Sequence, residues 1–430
     1  MKEINKKRLF AASSMALVVT ALTFAIRANL LGTLAAEFGL SPKEIGEISS
    51  AAFWGFTIAM FVGGPICDKI GMGRMFAIAF FSHLAGIVLT IYSTNYFTLF
   101  SSTLLVGIGN GFVESASYAM VSSMYTQEKT KKINDWHIWF PGGIVIGGVI
   151  AYLLTLIDAG WKIQMLVMVM PTLIYGAMFF GQKFPVSERV SKGVSDREMI
   201  RECFSPLFIF MIGCMLLTAA TELGTNQWIA ELLSTVGVPS ILLLVFINGI
   251  MTIGRANAGF ILNRVSTTGL LLFSAIFSSA GLIWLSYAQG YMAFAAAGIF
   301  AMGVCFFWPT MIGFVSERLP KTGPLGMSLM GGVGLLSTSV VLPLFGIVYE
   351  QEIARAGAGQ LDLESLKNAA QGTELAIKWA EIKLIAGAGT LRYVAILPAI
   401  LVAAFAFLYF KLRGKASAKV LSEDVSLALE

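Results

Sequence analysis

Long apolar runs separated by short polar breaks organise this chain from end to end. A helix that crosses a bilayer needs about 20 mostly apolar residues. Twelve stretches meet that length: 9–36, 45–67, 74–94, 97–124, 134–156, 161–181, 204–234, 240–262, 269–288, 291–315, 325–349 and 389–412. Several exceed the minimum, which predicts tilted or kinked helices. Pro65, Pro141, Pro171, Pro309, Pro343 and Pro398 lie inside runs and supply the kinks. The pattern predicts an all-α integral membrane protein with twelve transmembrane helices.

Composition agrees. Of 430 residues, 57% are hydrophobic and 13% charged, and the mean hydropathy is +0.78. A soluble domain carries about 25% charged residues, so this apolar excess belongs in a bilayer. A secreted disulfide scaffold, a nucleic-acid binder and a disordered tail are excluded, and no nucleic-acid partner is expected. Cys67, Cys203, Cys214 and Cys305 lack metal-ligand spacing, and the sequence has only two histidines. No metal and no cofactor are therefore expected, and the thiols read as small core residues. No Gly-rich phosphate loop of the Lys-Ser/Thr type is present, so nothing points to ATP. Lys2, Lys6, Lys7 and Arg8 precede an apolar run in the manner of a signal peptide. That run continues to Ala36, beyond the roughly 7–15 residues of a signal core, and reads as the first spanning helix.

Charge then sets the expected orientation. One set of connections carries Lys69 and Arg74; Lys129, Lys131 and Lys132; Arg189, Lys192, Arg197 and Arg201; Arg264; and Arg318 and Lys321. The N-terminus is basic, as is the C-terminal segment with Lys411, Arg413, Lys415 and Lys419. The alternate short connections hold little beyond Lys43 and Lys162. The positive-inside bias therefore predicts that both termini and the even-numbered loops are cytoplasmic. Two connections are long. The stretch 182–203 divides the chain into 1–181, a linker and 204–430, and Ser195 with Glu198 forms a capping box that predicts a short helix in the linker. The stretch 350–388 is expected as an outer-side insertion, with helical spacing over 362–384.

The halves carry related turns. At the end of the second span come Gly64, Asp68, Lys69, Gly71, Gly73 and Arg74; at the end of the eighth come Gly259, Asn263 and Arg264, preceded within the span by Gly254 and Arg255. Glycine lets helices approach, and Asp68 is placed to accept from a helix N-terminus and to pair with Arg74. Asp68, Arg74 and Arg255 are read as gating or structural residues. The first copy resembles the signature loop of the major facilitator superfamily. With twelve spans and a middle linker, the resemblance covers nearly the whole chain and implies two six-helix bundles. Gly107–Ala116 in span four, and Phe307, Trp308, Pro309 and Thr310 in span ten, resemble the fucose–galactose–glucose:proton symporter branch. That resemblance implies an acid at Glu114 that couples proton and sugar. The branch's second acid, in span one, has no counterpart: 9–36 contains no carboxylate, and Gly32 lies near its place.

Charges deep in a span are costly, about 2.5–3.5 kcal/mol on insertion scales, and mark cavities or partners. Four are found: Arg27, Glu114, Glu222 and Arg255. Glu114 reads either as a carboxylate that takes and releases a proton or as a fixed partner of Arg27. Arg27 either binds solute, tunes Glu114 or holds the bundle, with Asn29 two residues on. In span seven, Glu222 and Asn226 share a helix face. With Gln227 and Trp228 they offer acceptors, donors and an apolar plane suited to a pyranose, and Glu222 is a second proton-coupling candidate. Trp228 also fits an interfacial belt. His137, Asn248 and Trp308 complete the candidates; His137 reads equally as a solvated residue near the cytoplasmic surface. The expected function is inward transport of a small polar solute, a sugar or sugar derivative, with a proton. The expected setting is the bacterial inner membrane, as a monomer. An organic-anion carrier of the same fold and a transport-dead solute sensor are the alternatives. An integral-membrane enzyme would need a nucleophile–base pair or metal cluster that the chain lacks.

Overall fold

The computed structural model describes residues 4–40, 42–226, 240–358, 363–367, 369 and 372–427, and all regular structure among them is helical. The first half comprises α1 (Lys6–Phe38), α2 (Pro42–Ile70), α3 (Met72–Ile91), α4 (Tyr96–Met124), α5 (Lys129–His137), α6 (Trp139–Leu156), α7 (Trp161–Leu166) and α8 (Val169–Phe179). Two linker helices follow, α9 (Glu188–Ser191) and α10 (Asp196–Glu202). The second half opens with α11 (Pro206–Ala219), which runs into a π-helical turn, Ala220–Gly224. It continues with α12 (Ser240–Ala256), α13 (Ala258–Leu262), α14 (Thr267–Leu285), α15 (Met292–Val304), α16 (Phe307–Arg318) and α17 (Gly323–Ala356). The last elements are α18 (Leu363–Lys367), α19 (Glu374–Val394) and α20 (Ile396–Leu427). Eleven described helical stretches are long and apolar enough to cross a membrane, with Val245–Ala256 a shorter apolar helix between them. The fold is two six-helix bundles.

Local sequence sets the ends and crossings. Asn95 accepts from Thr98 N at 3.0 Å and donates its own N–H to Thr98 Oγ1 at 3.2 Å, a capping box that starts α4. Ser195 and Glu198 form the expected box at the start of α10. Close crossings fall at glycines: a Cβ on Gly107 of α4 would lie 2.2 Å from Ala52 O of α2, and one on Gly303 would lie 2.1 Å from Ser278 N of α14. Both backbones touch where no side chain fits.

The chain beyond α17 differs from the expected insertion. Span eleven runs on to Ala356, and the predicted outer helices are the short α18 and the long α19. The latter is parted from the last span only at Ala395, so the final apolar run grows out of an amphipathic helix with no separating loop.

The two halves meet along α5 with α16, α2 with α17 and α6 with α12. One end of this seam, where α1 begins, is tied by polar contacts. Lys129 pairs with Glu188 and donates to Ser316 O at 3.1 Å, Thr130 N donates to Glu317 Oε1 at 2.9 Å, and Asn134 Nδ2 donates to Thr310 Oγ1 at 3.3 Å. Ser115 and Ser328 share a 2.6 Å hydrogen bond nearer the middle. The expected Asp68–Arg74 pair is not formed. Asp68 instead accepts from Arg189 of the linker at 2.8 and 2.5 Å, and Arg74 is exposed. The buried Asp68 carboxylate takes the guanidinium that the linker folds onto it, while Arg74 lies exposed in the first turn of α3.

Candidate functional site

The site is built where the seam crosses the middle of the spans. Glu114 and Tyr118 lie one turn apart on α4, so they share a face. Tyr118 Oη donates to Glu114 Oε2 at 2.7 Å, meets His137 Nε2 at 2.8 Å and accepts from Trp308 Nε1 at 2.8 Å. Glu114, Tyr118 and His137 belong to the first half and Trp308 to the second, so one hydroxyl joins the halves. All four residues are buried, and His137 is 2% exposed. The solvated position allowed for His137 is thereby corrected: its ring is buried against Tyr118 and Trp136.

Beside this hub lies the pair Arg255–Glu222. Arg255 Nη2 donates to Glu222 Oε1 at 3.0 Å, and both side chains are buried. Two further bonds hold the guanidinium, from Nε to Cys305 O at 2.7 Å and from Nη1 to His137 O at 3.3 Å. Their origin is legible in the chain. Pro141 follows His137 by four residues, and Pro309 follows Cys305 by four. Proline has no N–H, so in each helix the carbonyl four residues earlier loses its helical donor. Arg255 supplies donors to both freed carbonyls, one from each half. The planar fork of arginine suits this task, which the point charge of lysine does not reproduce.

Glu222 itself lies within the π-helical turn, whose extra residue shifts the phase of the side chains that follow. Acceptors here are left unused. Glu222 Oε2, Thr225 Oγ1 and Asn226 Oδ1 are buried and have no hydrogen-bond partner among the described residues, and the same holds for His137 Nδ1. An unpaired buried polar atom costs about 1–3 kcal/mol. Three of the four follow one another along span seven, and the fourth belongs to the residue whose carbonyl Arg255 holds.

The remaining candidates fall in three groups. Asn248 is buried on α12, near the hub helices. Gln227 and Trp228 lie outside the described residues. Arg27 and Asn29 lie away from the hub. Arg27 stacks its guanidinium over Phe24 at 5.4 Å and borders a pocket with Thr23, Thr90 and Thr103 inside the first bundle. Its proposed pairing with Glu114 is not formed, because the side chain enters its own bundle and not the seam. Asn29 is exposed and donates to Thr155 and Gln164. Arg255, expected inside span eight as a gating or structural residue, lies on α12 at the hub.

Sequence reasoning missed Tyr118, Arg189 and the second histidine. Tyr118 had one available signal, its i, i+4 spacing from Glu114. His83 is buried and forms a closed chain within the first bundle: Tyr175 Oη lies 3.1 Å from Nδ1, Nε2 lies 2.9 Å from Asn110 Oδ1, and Asn110 Nδ2 donates to Thr23 Oγ1 at 3.1 Å. At the tied end, burial pushes the Glu188 carboxyl up, but hydrogen bonds from Lys129 and Lys192 outweigh it and hold the group below its ordinary value.

Comparison with known proteins places this arrangement. The gentisate transporter of Corynebacterium glutamicum is 22% identical over 226 residues, covering 47% of this chain and 49% of its own. The riboflavin transporter of Clostridioides difficile is 29% identical over 202 residues, covering 45% and 41%. The chain thus spans under half the length of these curated relatives. Among solved structures, the Escherichia coli fucose:proton symporter shares the fold, with a TM-score of 0.68 at 15% identity, over 93% of this chain and 98% of that one. Matched by the family profile over residues 12–348, this multi-pass membrane protein belongs to the Major Facilitator Superfamily.

Proposed function

We infer that the chain is a proton-coupled secondary transporter that moves a small polar solute, a sugar or sugar derivative, by alternating access through the seam. The observation that carries this reading is Glu114: a buried carboxylate in mid-span, with Tyr118 its only hydrogen-bond partner among the described residues, joined through that hydroxyl to the opposite half. A group so placed changes charge when it takes a proton, and it does so at the surface along which the halves move. The unused acceptors on Glu222, Thr225 and Asn226 suit the hydroxyl donors of a sugar. The fold of the fucose:proton symporter supports the same class. Glu222 serves as a solute ligand and second proton site, and Asp68 with Arg189 as part of the gate. On this reading both termini are cytoplasmic in a bacterial inner membrane, in keeping with the basic loops, and 1–181 and 204–430 are the moving bundles with 182–203 as their linker.

One observation favours a second reading. Arg255 is a buried cation at the hub, and a solute carboxylate would replace Glu222 on its fork. The gentisate transporter among the relatives is in keeping with an organic acid. A thermal-shift screen over sugars, sugar acids and sugar alcohols separates the two. A ligand at about 100 times its Kd stabilises by about 2.7 kcal/mol. Hits confined to neutral sugars support the first reading; hits confined to acids replace it with the second.

A further inference from the structure

Tyr118 Oη has three partners and a fixed capacity: one hydrogen to give and two lone pairs to accept with. An indole only donates, so Trp308 occupies one lone pair at all times. One hydrogen and one lone pair remain to be divided between Glu114 and His137. When Glu114 is ionised, the hydroxyl hydrogen points to Oε2, and His137 must donate from Nε2, which leaves Nδ1 bare. When Oε2 carries a proton, the carboxyl donates to Tyr118, the hydroxyl hydrogen turns to Nε2, and the imidazole must carry its hydrogen on Nδ1. Nothing among the described residues bonds Nδ1 and fixes it in either form.

We propose that Tyr118 relays a proton between His137 Nδ1 and Glu114 Oε2, so that loading Glu114 turns Nδ1 from a hydrogen-bond acceptor into a donor. The step balances. A proton enters at Nδ1, the Nε2 hydrogen passes to Tyr118 Oη, and the hydroxyl hydrogen passes to Oε2. The tyrosine and imidazole end neutral, and the carboxylate ends as a carboxylic acid. Release runs in reverse. A solute oxygen with no hydrogen to give, a ring or carbonyl oxygen, then finds a donor at Nδ1 only in the loaded form, which links solute to proton without contact between solute and Glu114. The inference rests on the reading of Glu114 as the proton site. The charged and titratable groups that face the relay are Arg255 of α12, Glu222 of the π-helical turn and Cys305 before α16. The facing stretches 9–26 of α1, 48–66 of α2 and 323–348 of α17 hold no ionisable side chain.

Only two histidines occur in the chain, which makes the test clean. The full-length protein, labelled with 15N-histidine and held in lipid vesicles, is titrated by magnetic resonance from about pH 9 to pH 5, with the carboxyl infrared band of Glu114 followed in parallel. The proton is the only ligand required. His83 is the internal control: Asn110 donates its amide to Thr23 and so presents only Oδ1, which holds the His83 hydrogen on Nε2 at every pH. His137 is expected to move its hydrogen from Nε2 to Nδ1 in step with the carboxyl band, and to stay in one form across the range in Glu114→Gln. If that variant loses the His83 signal, the wild-type titration alone decides. A carboxyl band that titrates while His137 stays unchanged would overturn the relay, since the proton would then sit on the other carboxyl oxygen. A His137 that becomes doubly protonated without reference to that band would also overturn it. Neither result touches the transport reading, which fails separately if Glu114→Gln still concentrates solute.

Discussion

The two buried histidines are built on opposite plans. The His83 chain is closed: from Tyr175 through the ring to Asn110 and Thr23, each donor has an acceptor and the order admits one direction. The His137 chain is open: it begins at a carboxyl group, passes a hydroxyl shared with the opposite bundle, and ends on a nitrogen without a partner among the described residues. A closed network fixes a structure, and an open one keeps two arrangements within reach. Burial alone does not separate them, for His83 and His137 are 0% and 2% exposed. What separates them is unspent hydrogen-bonding capacity at the seam between the halves.

The largest stability effect is expected where the open network is anchored. Arg255→Ala leaves Glu222 buried without its cation and frees two proline-exposed carbonyls, so chemical unfolding in detergent should show a loss of about 3–5 kcal/mol. Replacing Arg255 and Glu222 together by Met should cost far less, because no charge is stranded. Equal losses from both variants would mean that the pair is not the anchor. In the closed network, His83→Phe strands Tyr175 and Asn110, at about 1–3 kcal/mol for each unpaired group. Its transport should persist once folded, and loss of proton coupling in that variant would break the contrast between the histidines.

At the tied end of the seam, Asp68→Asn removes the charge facing Arg189. It is expected to slow transport through the balance of the two access states while solute affinity stays near that of the wild type. An affinity loss with unchanged access, read by thiol labelling from either side, would contradict this. The smallest effect concerns Glu188. Its carboxyl is held below the ordinary value of 4.5, so the stabilisation is complete above that value and is lost as pH falls through the lower folded value. Unfolding midpoints should therefore drop in that acid window for the wild type and drop less steeply there for Glu188→Gln.

Much of this was legible in the chain because bilayer solvation leaves strong marks. Runs of about 20 apolar residues declare spans, and a carboxylate inside one declares itself as Glu114 and Glu222 do. The partners of those charges were not legible. Arg255 stands out in the sequence as a charge inside span eight, and Gly254 and Gly259 beside it suggest a gating or structural role without naming a partner. Its actual partners are Glu222, 33 residues earlier, and two carbonyls that only the placement of Pro141 and Pro309 sets free. Arg27 was drawn to Glu114 by charge, yet a helix rotation decides which bundle a side chain enters, and a run apolar on all sides gives no phase. Tyr118 is an ordinary aromatic residue by sequence and becomes the centre of the site only when two halves close on it.

The most direct measurement is solute accumulation in proteoliposomes under an imposed proton gradient, using a ligand from the thermal-shift screen. Wild type should concentrate the solute against its gradient. Glu114→Gln should equilibrate it without concentrating it while still exchanging labelled for unlabelled solute, since exchange needs no net proton movement. Full uphill accumulation by Glu114→Gln would contradict proton coupling through this carboxylate.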